Sequence, residues 1–125
     1  DLWLGKGANK MPCIQVKTNV KTSRQAAEEI KEALGQAISC LPGKSEDWLM
    51  VSIEDGCQMF FGGKGSRPIA MVEVKILGNA VDQEGAKRMT GEMTRVLGGT
   101  LGVSPDNMYI KYEASPDWGW NGTNF

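Results

Sequence analysis

The sequence predicts an α/β chain of the two-layer α+β kind. A β-α-β unit is made twice, giving a mixed sheet of about four strands with both helices on one face. Three observations predict it. Apolar residues alternate at a period of two over 13–18, 48–54, 69–77 and 108–113, and helical-period stripes separate the first pair of runs and the second pair. The two halves resemble each other: Ile14-Gln15-Val16-Lys17 returns as Val72-Glu73-Val74-Lys75, 58 residues on, and Gly43-Lys44-Ser45-Glu46-Asp47 returns as Gly102-Val103-Ser104-Pro105-Asp106, 59 residues on. The 125 residues suffice for one compact domain. Right-handed crossovers then carry both helices to the same side of the sheet.

The elements follow in order. Residues 1–10 lack a basic start and an apolar core, so they do not read as a secretory signal. They are read as a tag or an unprocessed extension, leaving 11–125 as the domain. In the first strand Ile14, Val16 and Thr18 form the buried side. Thr22-Ser23-Arg24-Gln25 fits a capping box, and a helix follows with Ala26, Ala27, Ile30, Ala33, Leu34, Ala37, Ile38 and Leu41 on one stripe. Pro42-Gly43 stops it. The second strand, 48–54, buries Leu49, Val51 and Ile53. Residues 58–61 read as a brief extended piece. The loop Gly62-Gly63-Lys64-Gly65-Ser66 lacks phosphate-loop spacing, and Arg67-Pro68 stands where a helix should open.

The third strand turns Val72, Val74 and Ile76 inward. Asp82 caps a second helix with Glu84 in its first turn. Its stripe is Ala86, Met89, Met93, Val96 and Leu97; Gly85 and Gly91 weaken it by roughly 1 kcal/mol each relative to alanine, and Gly98-Gly99 is expected to fray or end it. The fourth strand is 108–113. The tail, 118–125, is too aromatic for a loose end. The face away from the helices carries Gln15, Lys17, Met50, Ser52, Glu73, Lys75, Tyr109 and Lys111, with no element left to cover it. Such a face with open edges favours self-association.

Composition removes several chemistries. A net charge of −1 does not suggest a nucleic-acid partner. No apolar run is long enough to span a bilayer. The absence of histidine excludes serine–histidine and cysteine–histidine nucleophiles and most zinc sites. Cys13, Cys40 and Cys57 form no close pair, so free thiols in a reducing compartment are expected. Asn121-Gly122-Thr123 matches a glycosylation acceptor, idle without a secretory route.

Pro12 is the candidate for chemistry. Met11 is a start-type methionine before a small residue, and its removal would expose a secondary amine. In apolar surroundings the charged form of such an amine is disfavoured, drawing its pKa from about 8 toward neutrality. A base so poised suits proton transfer at carbon. Equally, a proline at a strand start is a place where a missing N–H is harmless.

Pro12 after Met11, the strand running on to Thr18-Asn19-Val20, Gly43-Lys44, Phe61-Gly62-Gly63, Gly78, Ser104-Pro105-Asp106, Tyr109-Ile110 and Gly119-Trp120-Asn121-Gly122-Thr123 together resemble the macrophage migration inhibitory factor family of the tautomerase superfamily. The resemblance runs from Met11 to Phe125. It implies a homotrimer with active sites at subunit boundaries and a cofactor-independent keto–enol tautomerase, a phenylpyruvate tautomerase that also takes dopachrome-like substrates. By the same resemblance Pro12 is the base and Lys44 pairs with the substrate carboxylate or enolate oxygen. Ile76 and Leu77 line the pocket. Trp48, Trp118, Trp120 and Phe125 wall it, and Tyr109 and Lys111 reach a neighbour's pocket. No cofactor and no metal are implied.

Departures qualify the resemblance. Ile69-Ala70-Met71-Val72 stands where the mammalian cytokine has two cysteines, so no thiol-oxidoreductase activity is expected. Lys111 replaces an asparagine. While Pro12 is joined to Met11 its nitrogen is an amide, so this form is expected to be inactive until residues 1–11 are removed. The alternative function is a secreted cytokine-like protein, a mimic of the family's signalling members that binds a host cell-surface receptor. The expected location is cytoplasmic, or outside the cell by a route that needs no signal peptide.

Overall fold

The computed structural model describes residues 10–125, so the reading of 1–9 as an extension lies outside the described residues. The first strand, β1 (Cys13–Thr18), buries Ile14, Val16 and Thr18. The Thr18 hydroxyl donates to the Ile69 carbonyl at 2.8 Å, which satisfies the one polar group on that face of the strand. Helix α1 (Arg24–Ala37) begins one residue later than the capping box suggested. Ser23 is the cap, its hydroxyl accepting from the Ala26 N–H at 3.0 Å. Thr22 is drawn away by Asp55, whose carboxylate accepts from its N–H at 2.8 Å and its hydroxyl at 3.0 Å. The helix tightens into a 3₁₀ turn, Ile38–Cys40, before Pro42.

The second strand, β2 (Met50–Glu54), is shorter than its periodicity suggested, because Glu46–Trp48 form a 3₁₀ turn. The extended piece expected over 58–61 is not a strand. Phe61 and Lys64 pair across a tight turn at Gly62-Gly63. Strand β3 (Ala70–Leu77) has the expected inward set. Helix α2 (Gln83–Leu101) is capped by Asp82, which accepts from the Gly85 N–H at 2.8 Å. It passes through Gly98-Gly99 and ends at Gly102, whose φ of 71° is the left-handed conformation that glycine adopts without strain. Burial of Met93, Leu97 and Leu101 along one continuous stripe outweighs the poor helix propensity of the two glycines. Gly85 has its own reason: a Cβ there would collide with the Cys40 carbonyl and the Asp82 carboxylate.

Strand β4 (Met108–Ser115) outruns the reading by two residues, because its pairing with β3 continues to Leu77 opposite Ser115. The tail folds into a hairpin of β5 (Gly119–Trp120) and β6 (Thr123–Asn124). Asn121 and Gly122, with φ of 53° and 80°, make its turn.

The sheet order is β2-β1-β3-β4. Strands β1 and β2 run parallel, as do β3 and β4, and β1 meets β3 antiparallel at the centre. This is the duplicated β-α-β unit. Ile14, Val16, Val72, Val74 and Ile76 from the sheet pack with Ile30, Leu34, Ile38, Met89, Met93 and Leu97 from the helical side. Each such side chain contributes roughly 1.5–3 kcal/mol on full burial.

The opposite face forms three rows: Met50, Cys13, Lys75 and Glu113; then Ser52, Gln15, Glu73 and Lys111; then Glu54, Lys17, Met71 and Tyr109. Met50 is 71% exposed and Tyr109 64% in the single chain.

Candidate active site

Pro12 is buried at the head of β1. Its carbonyl accepts from the Met50 N–H at 3.0 Å, which fastens the head of β1 to the start of β2. A proline suits that place because no ladder bond is asked of its nitrogen. Before it, Met11 has a φ of 68°, a conformation that costs an L-residue roughly 1–2 kcal/mol. That turn folds residue 10 back over the strand head.

Lys44 arrives from the α1–β2 connection. The chain reverses at Gly43, with φ 78°, and the Lys44 N–H donates to the Leu41 carbonyl at 3.1 Å. Only 7% of Lys44 is exposed. Its ammonium donates to the Leu77 carbonyl at 2.8 Å and to the Lys10 carbonyl at 3.4 Å. Burial lowers its pKa from the ordinary lysine value, since the charged form is the one that loses hydration. Two halves of the chain thus meet at one cation: the first supplies the lysine and the second, at the end of β3, supplies the carbonyl.

Lys10 links this cation to three rings: its carbonyl accepts from Lys44 and its own ammonium lies among them. Trp48, on the 3₁₀ turn before β2, meets Trp120 edge to face with centroids 5.2 Å apart. Phe125 stacks on Trp120 at 6.4 Å, and its N–H donates to the Trp118 carbonyl at 3.1 Å, which closes the hairpin. The Lys10 ammonium lies 4.2 Å from the Trp120 centroid, 4.8 Å from Trp48 and 5.6 Å from Phe125.

The other candidates, Leu77 apart, do not join this cluster in the single chain. Ile76 faces the core. Leu77 is buried and meets Lys44 through its carbonyl. Trp118 sits with Lys75, Glu113, Ser115 and Asp117 around a hollow of about 180 Å³, its buried indole N–H without a partner among the described residues. Tyr109 packs edge-on to Phe61 at 5.2 Å. Its register row is that of Lys17, four residues and about 13 Å along the sheet from Cys13. Lys111 lies in the row of Glu73, between the two.

Two features escaped the sequence reading. Lys10 falls in the stretch expected to be an extension, and nothing local in the sequence marks it as a partner of the rings. The tail hairpin did carry a signal, the Asn121-Gly122 pair, which favours the tight turn between two short strands.

The arrangement resembles known proteins along its length. The family model described as Macrophage migration inhibitory factor (MIF) matches residues 11–125. A curated relative, D-dopachrome decarboxylase-B of Xenopus laevis, is 24% identical over 115 residues, covering 90% of this chain and 96% of the relative. The crystal structure of Leishmania major MIF2 is 28% identical with a TM-score of 0.84, covering 93% of this chain and 98% of that one. The macrophage migration inhibitory factor homologue from Prochlorococcus marinus is 29% identical with a TM-score of 0.79, covering 90% and 98%.

Proposed function

The chain belongs to the macrophage migration inhibitory factor family, within the tautomerase superfamily, and from that membership we propose that it is a cofactor-independent keto–enol tautomerase. The observation that carries the proposal is the convergence at one strand head of a buried Pro12, a buried Lys44 ammonium and an aromatic wall of Trp48, Trp120 and Phe125. The substrates are 2-oxo acids of the phenylpyruvate type and dopachrome-like compounds. The name of the Xenopus laevis relative supports the second class.

Once the chain begins at Pro12, its secondary amine takes a proton from the carbon next to the substrate carbonyl. Burial favours the uncharged form of that amine, and the uncharged form is the base. Lys44 holds the substrate carboxylate or the oxygen on which charge develops. A charge-assisted contact in a site that excludes water is worth more than the same contact in bulk solvent. The proton then returns to the other end of the enol system. While the peptide bond from Met11 to Pro12 is intact, the nitrogen lone pair is delocalised into the amide and cannot accept the proton.

The test is the rate of phenylpyruvate enolisation before and after removal of residues 1–11. A positioned general base is worth about 10²- to 10⁴-fold, so the shortened chain should be faster by that order. Equal rates in both forms would refute Pro12 as the base.

We also propose a homotrimer in which Tyr109 and Lys111 of one chain approach the pocket of the next. The uncovered sheet face, with Met50 and Tyr109 exposed in the single chain, supports this. Light scattering should give the mass of three chains, and a monomer mass at assay concentration contradicts the proposal.

A further inference from the structure

The rings at the mouth of the site hold a cation, and the way they hold it is informative. The Lys10 ammonium is within about 6 Å of three ring centroids at once, the range in which a ring quadrupole attracts a positive charge. No carboxylate pairs with it among the described residues, whose ion pairs are Lys31 with Glu28 and Lys75 with Glu73. Lys10 is half-buried rather than extended into water. The backbone bends to put it there, through the left-handed turn at Met11. Its carbonyl meanwhile accepts from the Lys44 ammonium. One residue therefore fills two subsites: an oxygen acceptor at Lys44 and a cation among Trp48, Trp120 and Phe125.

We infer that the Trp48–Trp120–Phe125 cluster is an ammonium-binding subsite of the pocket. It suits ligands that carry a primary or quaternary ammonium about one lysine side chain away from a carbonyl or carboxylate oxygen held by Lys44. The inference deepens the tautomerase reading: the wall that takes the neutral ring of a phenylpyruvate-type substrate also takes a positive outer end, and binds it more tightly than a neutral group of the same size. In the unshortened chain Lys10 is the internal occupant and competes with them. A purely apolar wall would take a neutral group of equal size at least as well, and the choice between the two is measurable.

The experiment uses the full chain carrying Lys10→Ala, which empties the cage and leaves the Lys10 backbone carbonyl at Lys44. Choline and its uncharged isostere 3,3-dimethylbutan-1-ol are titrated against tryptophan fluorescence. Choline should bind roughly ten-fold more tightly than the isostere. The unsubstituted chain should bind choline roughly ten-fold more weakly than the Lys10→Ala chain. Adding Trp120→Leu should remove the preference for charge while Trp48 still reports. Trp120 is 41% exposed, which makes the substitution tolerable, and Phe125→Leu is the second variant should circular dichroism show a folding loss.

Equal affinity for the two isosteres overturns the inference. So does choline binding that ignores Lys10→Ala, or a charge preference that survives loss of either ring. No turnover enters the measurement. A shortened chain that binds choline but does not enolise phenylpyruvate removes only the tautomerase reading. One that enolises it but ignores ligand charge removes only the ammonium subsite.

Discussion

Replacing Lys44 by methionine separates the substrate contact proposed for this residue from what it costs the fold. Methionine keeps a similar length and flexibility and removes the charge. In the chain shortened to begin at Pro12, the interaction proposed for Lys44 is a charge-assisted hydrogen bond to a substrate carboxylate, worth roughly 1.5–3 kcal/mol. At about 1.36 kcal/mol per factor of ten, kcat/KM should fall about ten- to 150-fold. A loss confined to KM would place the contact equally in the ground and transition states. A loss shared by kcat would place it on the developing enolate oxygen. The assay is the initial rate of enol formation from phenylpyruvate over a substrate range. A kcat/KM within a factor of two of the parent would refute the role given to Lys44.

Stability moves by a separate route. Lys44 is 7% exposed and its pKa is lowered by burial. Below that lowered pKa both folded and unfolded chains carry the proton, and the folded chain bears the full cost of the buried charge. As pH rises past the folded value toward about 10.4, the ordinary lysine value, the folded chain sheds its proton first and that cost disappears. The parent should therefore gain stability relative to Lys44→Met as pH climbs through this window. Urea midpoints of the two chains measure it. Tyr112, whose part-buried hydroxyl has a pKa raised by burial, is common to both chains and cancels in the difference. A gap that changes in the opposite direction would refute the sign. At neutral pH the relief of the buried charge is opposed by the Leu77 carbonyl, which loses its donor at about 1–3 kcal/mol. The variant should accordingly remain folded.

Two further predictions concern the frame. Gly85→Ala places a Cβ against the Cys40 carbonyl and the Asp82 cap. Overpacking costs about 1–3 kcal/mol and helix propensity returns about 1, a net loss of up to about 2 kcal/mol, so Tm should fall, by roughly 3–6 °C for each kcal/mol in a domain of this size; an unchanged or higher melting temperature contradicts the close approach. Asp55 accepts from the Thr22 N–H and hydroxyl, and these bonds hold its pKa below the usual carboxylate value. Its contribution is present above about pH 3.9 and lost as pH falls through the folded pKa. The stability difference between the parent and Asp55→Asn should shrink on acidification, and thermal melts between neutral pH and pH 2 check it.

The strands and helices were legible because burial leaves a local period. Ile14, Val16 and Thr18 declare one face of β1, and Ile30, Leu34 and Ala37 one stripe along α1, whatever lies across from them. The repeat declared that the unit is made twice. Errors fell where a local preference met a tertiary contact. Gly98-Gly99 suggest that α2 frays or ends, yet its buried stripe carries the helix on to Leu101. Thr22 has the sequence of a cap, yet Asp55 claims it from 33 residues away.

The site divides the same way. Pro12, Lys44 and the tail aromatics stood out by residue type and order. Their meeting did not, because it depends on the sheet order: β1 lies between β2 and β3, and only that order brings the Lys44 ammonium to the Leu77 carbonyl at the end of β3. The cation among the rings is further removed from any local pattern. Residue 10, residue 48 and the last turn of the chain share no periodicity, and they become neighbours only because β1 starts beside β2 and the hairpin at Asn121-Gly122 turns Trp120 and Phe125 toward that edge.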